Sequence, residues 1–254
     1  MTSNIKAAKW FVRLNPDPLA KLRLFCFPYA GGGISSFRGW LNLLPRGVEL
    51  DIVELPGRGS RLLETPYFQV QLLIDEITQA IQPLLDRPFA FFGHSLGAVL
   101  GFETAREIMK LKGINPVILF VSGRNAPQLT DLSPSIQHLS DADFVDRLRQ
   151  YNGTPKEVLE NAELMEIFLP VLRADFTMNE TYVYKPGPPL DCPITAFGGK
   201  TDPRVSVDEL HAWDRMTLQE FSMVFFPGDH FYLHSEQAIL LKTISTKLSP
   251  LLSK

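Results

Sequence analysis

The chain has 254 residues, of which 45% are hydrophobic and 21% charged, a composition typical of one globular domain. Its formal net charge of −3 gives no electrostatic attraction toward nucleic acids or anionic membranes, because those surfaces select clustered Lys and Arg. The first residues lack the apolar core of a signal peptide, and no apolar run reaches the roughly 18 residues that span a bilayer. We therefore expect a cytoplasmic protein without a nucleic-acid or membrane partner.

Short runs rich in β-branched and aromatic residues recur along the chain and are candidates for strands. They lie at 22–28, 49–56, 88–93, 116–123, 194–199 and 221–228. Their apolar residues are continuous rather than alternating, which is typical of strands covered on both faces. Helical patterns, such as those at 68–86 and 96–113, separate most of these runs. This alternation predicts an α/β fold with a mainly parallel central sheet and helices on both faces.

The interval between the fourth and fifth strand candidates is about 70 residues, far longer than a normal crossover. The segment from about 124 to 190 carries its own helix signals. Ser140 precedes a helical pattern with Asp143 at its third position, and 163–184 is a long amphipathic stretch. We expect a helical lid inserted into a single domain that occupies residues 1–254.

Two further helices are expected near the end of the chain. Ser206 followed by Glu209 predicts the start of one, and Ser235 predicts the start of the last. Both would lie after the fifth strand candidate and complete the alternating pattern.

Residues 93–97 read Gly-His-Ser-Leu-Gly, a G-x-S-x-G pentapeptide between a strand candidate and a helical pattern. That setting is the one required by a nucleophile elbow, the sharp turn that lifts a Ser hydroxyl above the carboxyl edge of a sheet. The flanking glycines permit the turn. The alternative is a plain Gly-rich turn in which the Ser caps the helix. The strand-turn-helix context favours Ser95 as a nucleophile and predicts the α/β-hydrolase fold.

A Ser hydroxyl becomes a good nucleophile only when a neighbouring base accepts its proton and an acid orients that base. In α/β-hydrolases the acid and then the His follow the Ser along the chain, each just beyond a strand. Asp202 follows the strand candidate at 194–199, and His230 follows the one at 221–228. We predict the catalytic triad Ser95, Asp202 and His230.

The competing acids and bases are less suitably placed, because they lie in the insert, on a helix or directly beside a triad residue. An alternative for Asp202 itself is an ordinary loop residue that makes an Asx turn before Pro203. The competitors are His94 beside the nucleophile, His138 and Asp175 in the insert, His211 on a helix, His234 at the start of the last helix and Asp229 beside His230.

Acyl transfer also needs donors for the oxyanion, usually two backbone N–H groups. We predict Leu96, which follows the nucleophile, and Ala30, which lies in the Gly-rich segment 28–33 after the first strand candidate. The alternative is a flexible loop that binds nothing. Arg58 and Arg61 follow the second strand candidate, and we expect them to be solvated rather than bound to a phosphate.

Several phrases together resemble one family, the stand-alone type II thioesterases that serve nonribosomal peptide and polyketide synthases. The phrases occur in the family's order and spacing over nearly the whole chain. They are FCFPYAGGG (25–33), ELPGRGSR (54–61), FFGHSLGA (91–98), LRADF (172–176), GGKTDP (198–203) and GDHFYLH (228–234).

The resemblance implies that Ser95, Asp202 and His230 form the triad and that Ala30 and Leu96 supply the oxyanion donors. It implies a substrate too, an acyl or aminoacyl group held as a thioester on the phosphopantetheine arm of a carrier protein. The implied role is the removal of misprimed or stalled groups. The chain carries no Asp-Ser phosphopantetheine site before a helix, so we expect an acyl or peptidyl carrier protein to act in trans.

We expect no cofactor and no metal, since the phosphopantetheine belongs to the substrate. Cys26 and Cys192 lie in apolar runs and are predicted to be buried thiols rather than a disulfide or zinc ligands. Three alternatives stay open. The first is a general carboxylesterase or lipase, which would share the fold. The second is an enzyme similar to the animal one that releases medium-chain acyl groups from fatty acid synthase. The third is a non-enzymatic binding member of the fold, although such members usually lack a complete triad.

Overall fold

In the computed structural model, residues 2–130 and 134–252 are described. One sheet contains β1 (Phe11–Arg13), β2 (Leu22–Phe27), β3 (Val48–Val53), β4 (Phe89–His94), β5 (Ile118–Ser122), β6 (Ile194–Gly199) and β7 (Phe221–Phe226). The strand order is β1-β3-β2-β4-β5-β6-β7. The short edge strand β1 is antiparallel to β3, and the other pairs are parallel. The predicted mainly parallel sheet is confirmed, and β1 is the strand that the sequence patterns did not indicate.

The helices connect the strands and cover the sheet. They are α1 (Thr2–Trp10), α2 (Val70–Ile81), α3 (Leu96–Lys112), α4 (Asp141–Tyr151), α5 (Lys156–Leu159), α6 (Ala162–Thr181), α7 (Val207–His211), α8 (Tyr232–Ser235) and α9 (Gln237–Leu252). Within the described ranges, no helix is both long and apolar enough to cross a membrane.

The strands are mainly apolar because both faces of the sheet are covered. In β2, Phe25 and Phe27 pack into a core that includes residues of α2 and α3. The alternate residues Leu24 and Cys26 pack on the opposite face, in a core that includes α9. Successive side chains of a strand point to opposite faces, so a strand between two helical layers carries apolar residues on both faces rather than at alternate positions only.

The predicted N-caps of two helices are confirmed. The Ser140 hydroxyl accepts a hydrogen bond from the N–H of Asp143 at 3.2 Å. Ser206 and Glu209 form a reciprocal capping box at the start of α7. Each cap satisfies N–H groups that have no partner inside the helix.

The prediction that Ser235 starts the last helix is wrong. A short helix, α8, begins at Tyr232 and ends at Ser235. Because Ser235 is already in that turn, the last helix begins further along, at Gln237.

The segment between β5 and β6 contains α4, α5 and α6, as its helix signals indicated. Ala30, in the loop after β2, packs against the apolar cluster of this segment. That the segment acts as a lid, and that the whole chain is a single domain, stay predictions. The buried members of the cluster are Ile136, Phe144, Leu148, Leu159, Met165, Leu172 and Phe176.

Candidate active site

The loops at the carboxyl edge of the sheet bring the predicted site residues together. Because β2, β4, β6 and β7 run parallel, their carboxyl ends lie at one edge. Ala30 follows β2, Ser95 follows β4, Asp202 follows β6 and His230 follows β7. Ser95, His230 and Ala30 line one common cavity.

Ser95 has the strained backbone expected of an elbow, with φ 54° and ψ −116°. Its N–H donates to the Ser122 carbonyl on the neighbouring strand at 2.8 Å, which helps to hold the turn. A Cβ on Gly93 would lie 2.0 Å from the carbonyl oxygen of Gly97, and a Cβ on Gly97 would lie 2.1 Å from that of Phe27. Any side chain at either glycine would therefore collide with the backbone. The pentapeptide is a close-packed elbow, not a loose Gly-rich turn.

Asp202 and His230 form a buried pair. Oδ2 of Asp202 lies 2.8 Å from Nδ1 of His230, and the two side chains are 1% and 6% exposed. The other carboxylate oxygen accepts the backbone N–H of Arg204 at 2.9 Å. Within the described part of the chain, Nε2 of His230 has no hydrogen-bond partner. That nitrogen is therefore available to a hydroxyl in the cavity.

The electrostatic surroundings keep His230 neutral near pH 7. Burial lowers the pKa of His230 below its usual value, and the positive charges of Arg204 and Arg124 lower it further. The hydrogen bond and charge of Asp202 oppose these effects. A neutral imidazole is the form that accepts a proton.

Two small cavities meet at Ser95 and His230, each about 20 Å³ in volume. The first lies against α4 and α6, and its lining includes four aromatic residues. The second is polar. Apart from Ser95, His230 and Ala30, the sequence did not indicate that these residues line a common site, because their meeting depends on how the insert packs. The first set includes Tyr29, Tyr151, Phe176 and Phe231, and the second includes Arg124, Asn125, Asn179 and Arg204.

His94 and His234 lie close to the site but have other contacts. His94 is fully buried behind His230, with ring centroids 5.0 Å apart, and its Nδ1 lies 2.9 Å from the Ser122 hydroxyl. Burial holds the pKa of His94 well below its usual range. Nε2 of His234 lies 2.9 Å from the Tyr29 hydroxyl. These positions leave His230 as the histidine paired with a carboxylate.

The remaining competitors are exposed or have other partners. His138 and His211 are exposed. Asp229 is also exposed, and its carboxylate accepts the N–H of Phe231 at 2.9 Å. Asp175 is completely buried and binds Arg58.

The expectation that Arg58 and Arg61 are solvated is wrong. The two residues are 7% and 4% exposed. Both nitrogens of the Arg58 fork donate to Asp175, at 2.7 and 2.8 Å. Arg61 donates to the Glu54 carbonyl and to the Glu64 carboxylate, at 2.8 and 2.9 Å. A buried guanidinium needs such acceptors, and Asp175 comes from α6, which lies far along the sequence.

The strand order, the elbow and the aspartate–histidine pair define an enzyme of the α/β-hydrolase fold. Comparison with known proteins places the chain within that class. A family model described as "Thioesterase domain" matches residues 22–248. The chain belongs to this thioesterase family.

The similarity to individual family members extends over most of their length. The chain is 46% identical over 248 residues to gramicidin S biosynthesis protein GrsT of Aneurinibacillus migulanus, covering 98% of this chain and 97% of that protein. It is 36% identical over 246 residues to thioesterase PikA5 of Streptomyces venezuelae, covering 96% and 87%. The solved structure of the type II thioesterase BorB from the borrelidin biosynthetic cluster is similar at a TM-score of 0.87 and 35% identity, covering 94% and 97%.

Proposed function

We propose that this thioesterase hydrolyses acyl or aminoacyl thioesters on the phosphopantetheine arm of a carrier protein supplied in trans. In this role it removes misprimed or stalled groups from a nonribosomal peptide or polyketide synthase. The observation that carries the proposal is the likeness, over almost the whole chain, to a protein named as a type II thioesterase, BorB. The pairing of His230 with Asp202 beside Ser95 supports the chemistry.

Ser95 is the proposed nucleophile. Its Oγ attacks the thioester carbonyl carbon while its proton passes to Nε2 of His230. The backbone N–H groups of Ala30 and Leu96 donate to the oxyanion that forms. The C–S bond then breaks, and His230 returns the proton to the departing sulfur. The products of this half-reaction are an acyl-Ser95 ester and the free thiol of the carrier arm.

Water completes the cycle by the same route. His230 takes a proton from a water molecule as the water oxygen attacks the acyl-Ser95 carbonyl carbon. His230 then delivers the proton to Oγ of Ser95 as the ester bond breaks. Asp202 accepts the Nδ1–H of His230, which fixes the tautomer that presents a free Nε2. The free acid leaves, and no resident cofactor or metal takes part in this scheme.

Carrier recognition follows from how the substrate is delivered. A flexible arm brings the thioester to Ser95, so contacts between the two proteins can position a carbonyl that is far from them.

We place the reaction in the cytoplasm, where the buried cysteines Cys26 and Cys192 would remain free thiols, as they are in the structure.

The decisive experiment is intact-mass analysis of acylated carrier proteins after exposure to the enzyme, with Ser95→Ala as the control. We expect kcat/KM to be at least about tenfold higher for an acyl group on a carrier than for the same group on a short pantetheine thioester, or about 1.4 kcal/mol. Equal rates on both, or a preference for a nitrophenyl ester, would instead indicate a general carboxylesterase. A preference confined to medium-chain acyl groups would favour the fatty-acid-releasing alternative.

A further inference from the structure

Two sequence motifs that the reaction scheme does not use meet directly behind the oxyanion loop, defined here as residues 28–33. The motif at 54–61 supplies Arg58, and the motif at 172–176 supplies Asp175. Asp175 is 0% exposed and Arg58 is 7% exposed. Burying both charges is expensive unless their hydrogen-bonding groups find partners. The fork of two bonds between them meets part of that need, and the oxyanion loop supplies further partners.

Both members of the pair bind backbone groups of the oxyanion loop. Oδ2 of Asp175 accepts the N–H of Gly31 at 2.7 Å. The same Nη1 of Arg58 that binds Asp175 also donates to the carbonyl of Gly32 at 3.0 Å. The Asp175 carboxylate therefore holds the N–H of Gly31, and the Arg58 guanidinium holds the carbonyl of the next residue, Gly32.

These contacts complete a tight turn that contains the predicted oxyanion donor. The N–H of Gly32 donates to the carbonyl of Tyr29 at 2.8 Å, and Gly31 has φ +77°. A positive φ at the third residue is characteristic of a type II turn. The Tyr29 carbonyl and the Ala30 N–H belong to one planar trans peptide and point in opposite directions. Fixing the carbonyl within the turn therefore directs the Ala30 N–H away from the turn.

The pair also ties the loop to α6. A Cβ on Gly31 would lie 2.5 Å from Cδ2 of Leu172, so the helix packs against this part of the loop without spare room. Leu172 and Asp175 lie three residues apart and therefore occupy the same side of α6. One side of the helix thus supplies both the steric support and the hydrogen-bond acceptor for Gly31.

We propose that Asp175 and Arg58 are positioning residues that fix the oxyanion loop and thereby set the direction of the Ala30 N–H. This role rests on the proposed function, because Ala30 acts only if an oxyanion forms beside Ser95. The pair itself touches no reacting atom. Its effect is to keep the donor aligned before the substrate arrives, which is the property that makes an oxyanion hole effective.

The test uses Asp175→Asn, with Asp141→Asn as a matched control. Asp141 forms a more exposed ion pair with Arg173 of α6, so the control also removes an aspartate charge from an ion pair with an arginine. We expect Asp175→Asn to lower kcat by about 10²-fold with KM within about threefold of the native value, since misplacing a donor costs on the order of 10². Affinity for a trifluoromethyl ketone analogue of the substrate should fall in proportion. For Asp141→Asn, we expect kcat, KM and the affinity for the ketone analogue to stay within about twofold of the native values.

A second variant separates positioning from mere stability. In the double variant Arg58→Met with Asp175→Leu, no charge is left buried and unpaired, so the fold should be retained. The loop contacts at Gly31 and Gly32 are still lost, and we expect kcat to remain low by about 10²-fold. Recovery of native kcat in the double variant would overturn the proposal. The proposal would also be overturned if the fall in kcat of Asp175→Asn were no larger than the fall in the folded fraction measured by circular dichroism.

The proposed function can fail independently of this role. Labelling of Ser95 by a fluorophosphonate and thioester cleavage by the native protein test the function, whereas only the ratio of variant to native rates tests the positioning pair. The acidic limb of the pH profile gives one more distinction. It should be unchanged in Asp175→Asn, because the pair acts on the oxyanion loop and not on His230, and a shifted limb would contradict the assignment.

Discussion

Replacing Asp202 with Asn tests the acid–base assignment most directly, because the surrounding hydrogen bonds dictate how the amide must orient. One carboxylate oxygen of Asp202 accepts the backbone N–H of Arg204 at 2.9 Å, and the other lies 2.8 Å from Nδ1 of His230. An Asn side chain has only one acceptor oxygen. That oxygen satisfies the Arg204 N–H, so the amide NH₂ faces His230.

This orientation forces the wrong tautomer. An NH₂ donor opposite Nδ1 makes Nδ1 an acceptor and leaves the proton of His230 on Nε2, which can then no longer accept the proton of Ser95. We expect kcat to fall by on the order of 10⁴, equivalent to about 5 kcal/mol of transition-state stabilisation, with little change in KM. The 1% exposure of the Asp202 side chain means that water cannot readily substitute for the lost acceptor.

The assay is single-turnover hydrolysis of an acyl carrier protein, with Asp229→Asn as the matched control. Asp229 is exposed and its carboxylate accepts the N–H of Phe231, so its variant should retain activity within about threefold of the native enzyme. If the two variants ranked in the opposite order, or if Asp202→Asn lost less than about tenfold, the carboxylate would have been assigned wrongly.

Three other variants follow from the geometry of the site. Arg204→Gln should move the acidic limb of the kcat/KM profile to higher pH. Burial, and after it the Arg204 charge, lower the pKa of His230, and the enzyme loses activity as that imidazole becomes protonated. An unmoved limb would contradict this reasoning, and Arg215→Gln, at an exposed arginine, is the control. Ser95→Ala should abolish fluorophosphonate labelling and lower kcat by about 10⁴ or more, whereas labelling that survives would exclude Ser95 as the nucleophile. Gly97→Ala should lower the free energy of unfolding in urea by about 3 kcal/mol or more, since its Cβ would lie 2.1 Å from the Phe27 carbonyl oxygen. In the control Gly101→Ala, in the same helix, the new Cβ would lie 3.3 Å from the Phe27 side chain and 3.8 Å from that of Leu119, and the free energy of unfolding should change by less than about 1 kcal/mol.

The residues with a local sequence signature were the ones that could be predicted. Ser95 lies between a strand pattern and a helix pattern, and both patterns follow from short-range periodicity. Asp202 and His230 each follow a core strand, and parallel strands bring such positions to one edge whatever the intervening chain does. The confirmed N-cap at Ser140 is likewise a contact between residues three apart.

The contacts of Arg58 had no such signature. Its partner Asp175 lies 117 residues further along the chain, and the two meet only because α6 packs over the loop. A charged residue in a loop is usually solvated, so the general tendency pointed the wrong way. The polar cavity lined by Arg124 and Arg204 was also missed. A strand-end motif gives the position of a residue but not the direction of its side chain.

Two of the contacts that hold the insert to the core differ in strength, and the difference predicts how substrate reaches Ser95. Cavities of about 20 Å³ are too small for an acyl group with its pantetheine arm, so part of the insert must move. Separating α6 from the loop would break the buried ion pair of Arg58 and Asp175, and leaving one charge of such a pair buried and unpaired typically costs 3–5 kcal/mol. The end of α4 is held to the β6 loop by Arg204 stacked over the Tyr151 ring at 4.1 Å, an interaction worth about 0.5–2 kcal/mol. Access should therefore come from displacement of α4, while α6 stays in place and keeps the oxyanion loop aligned.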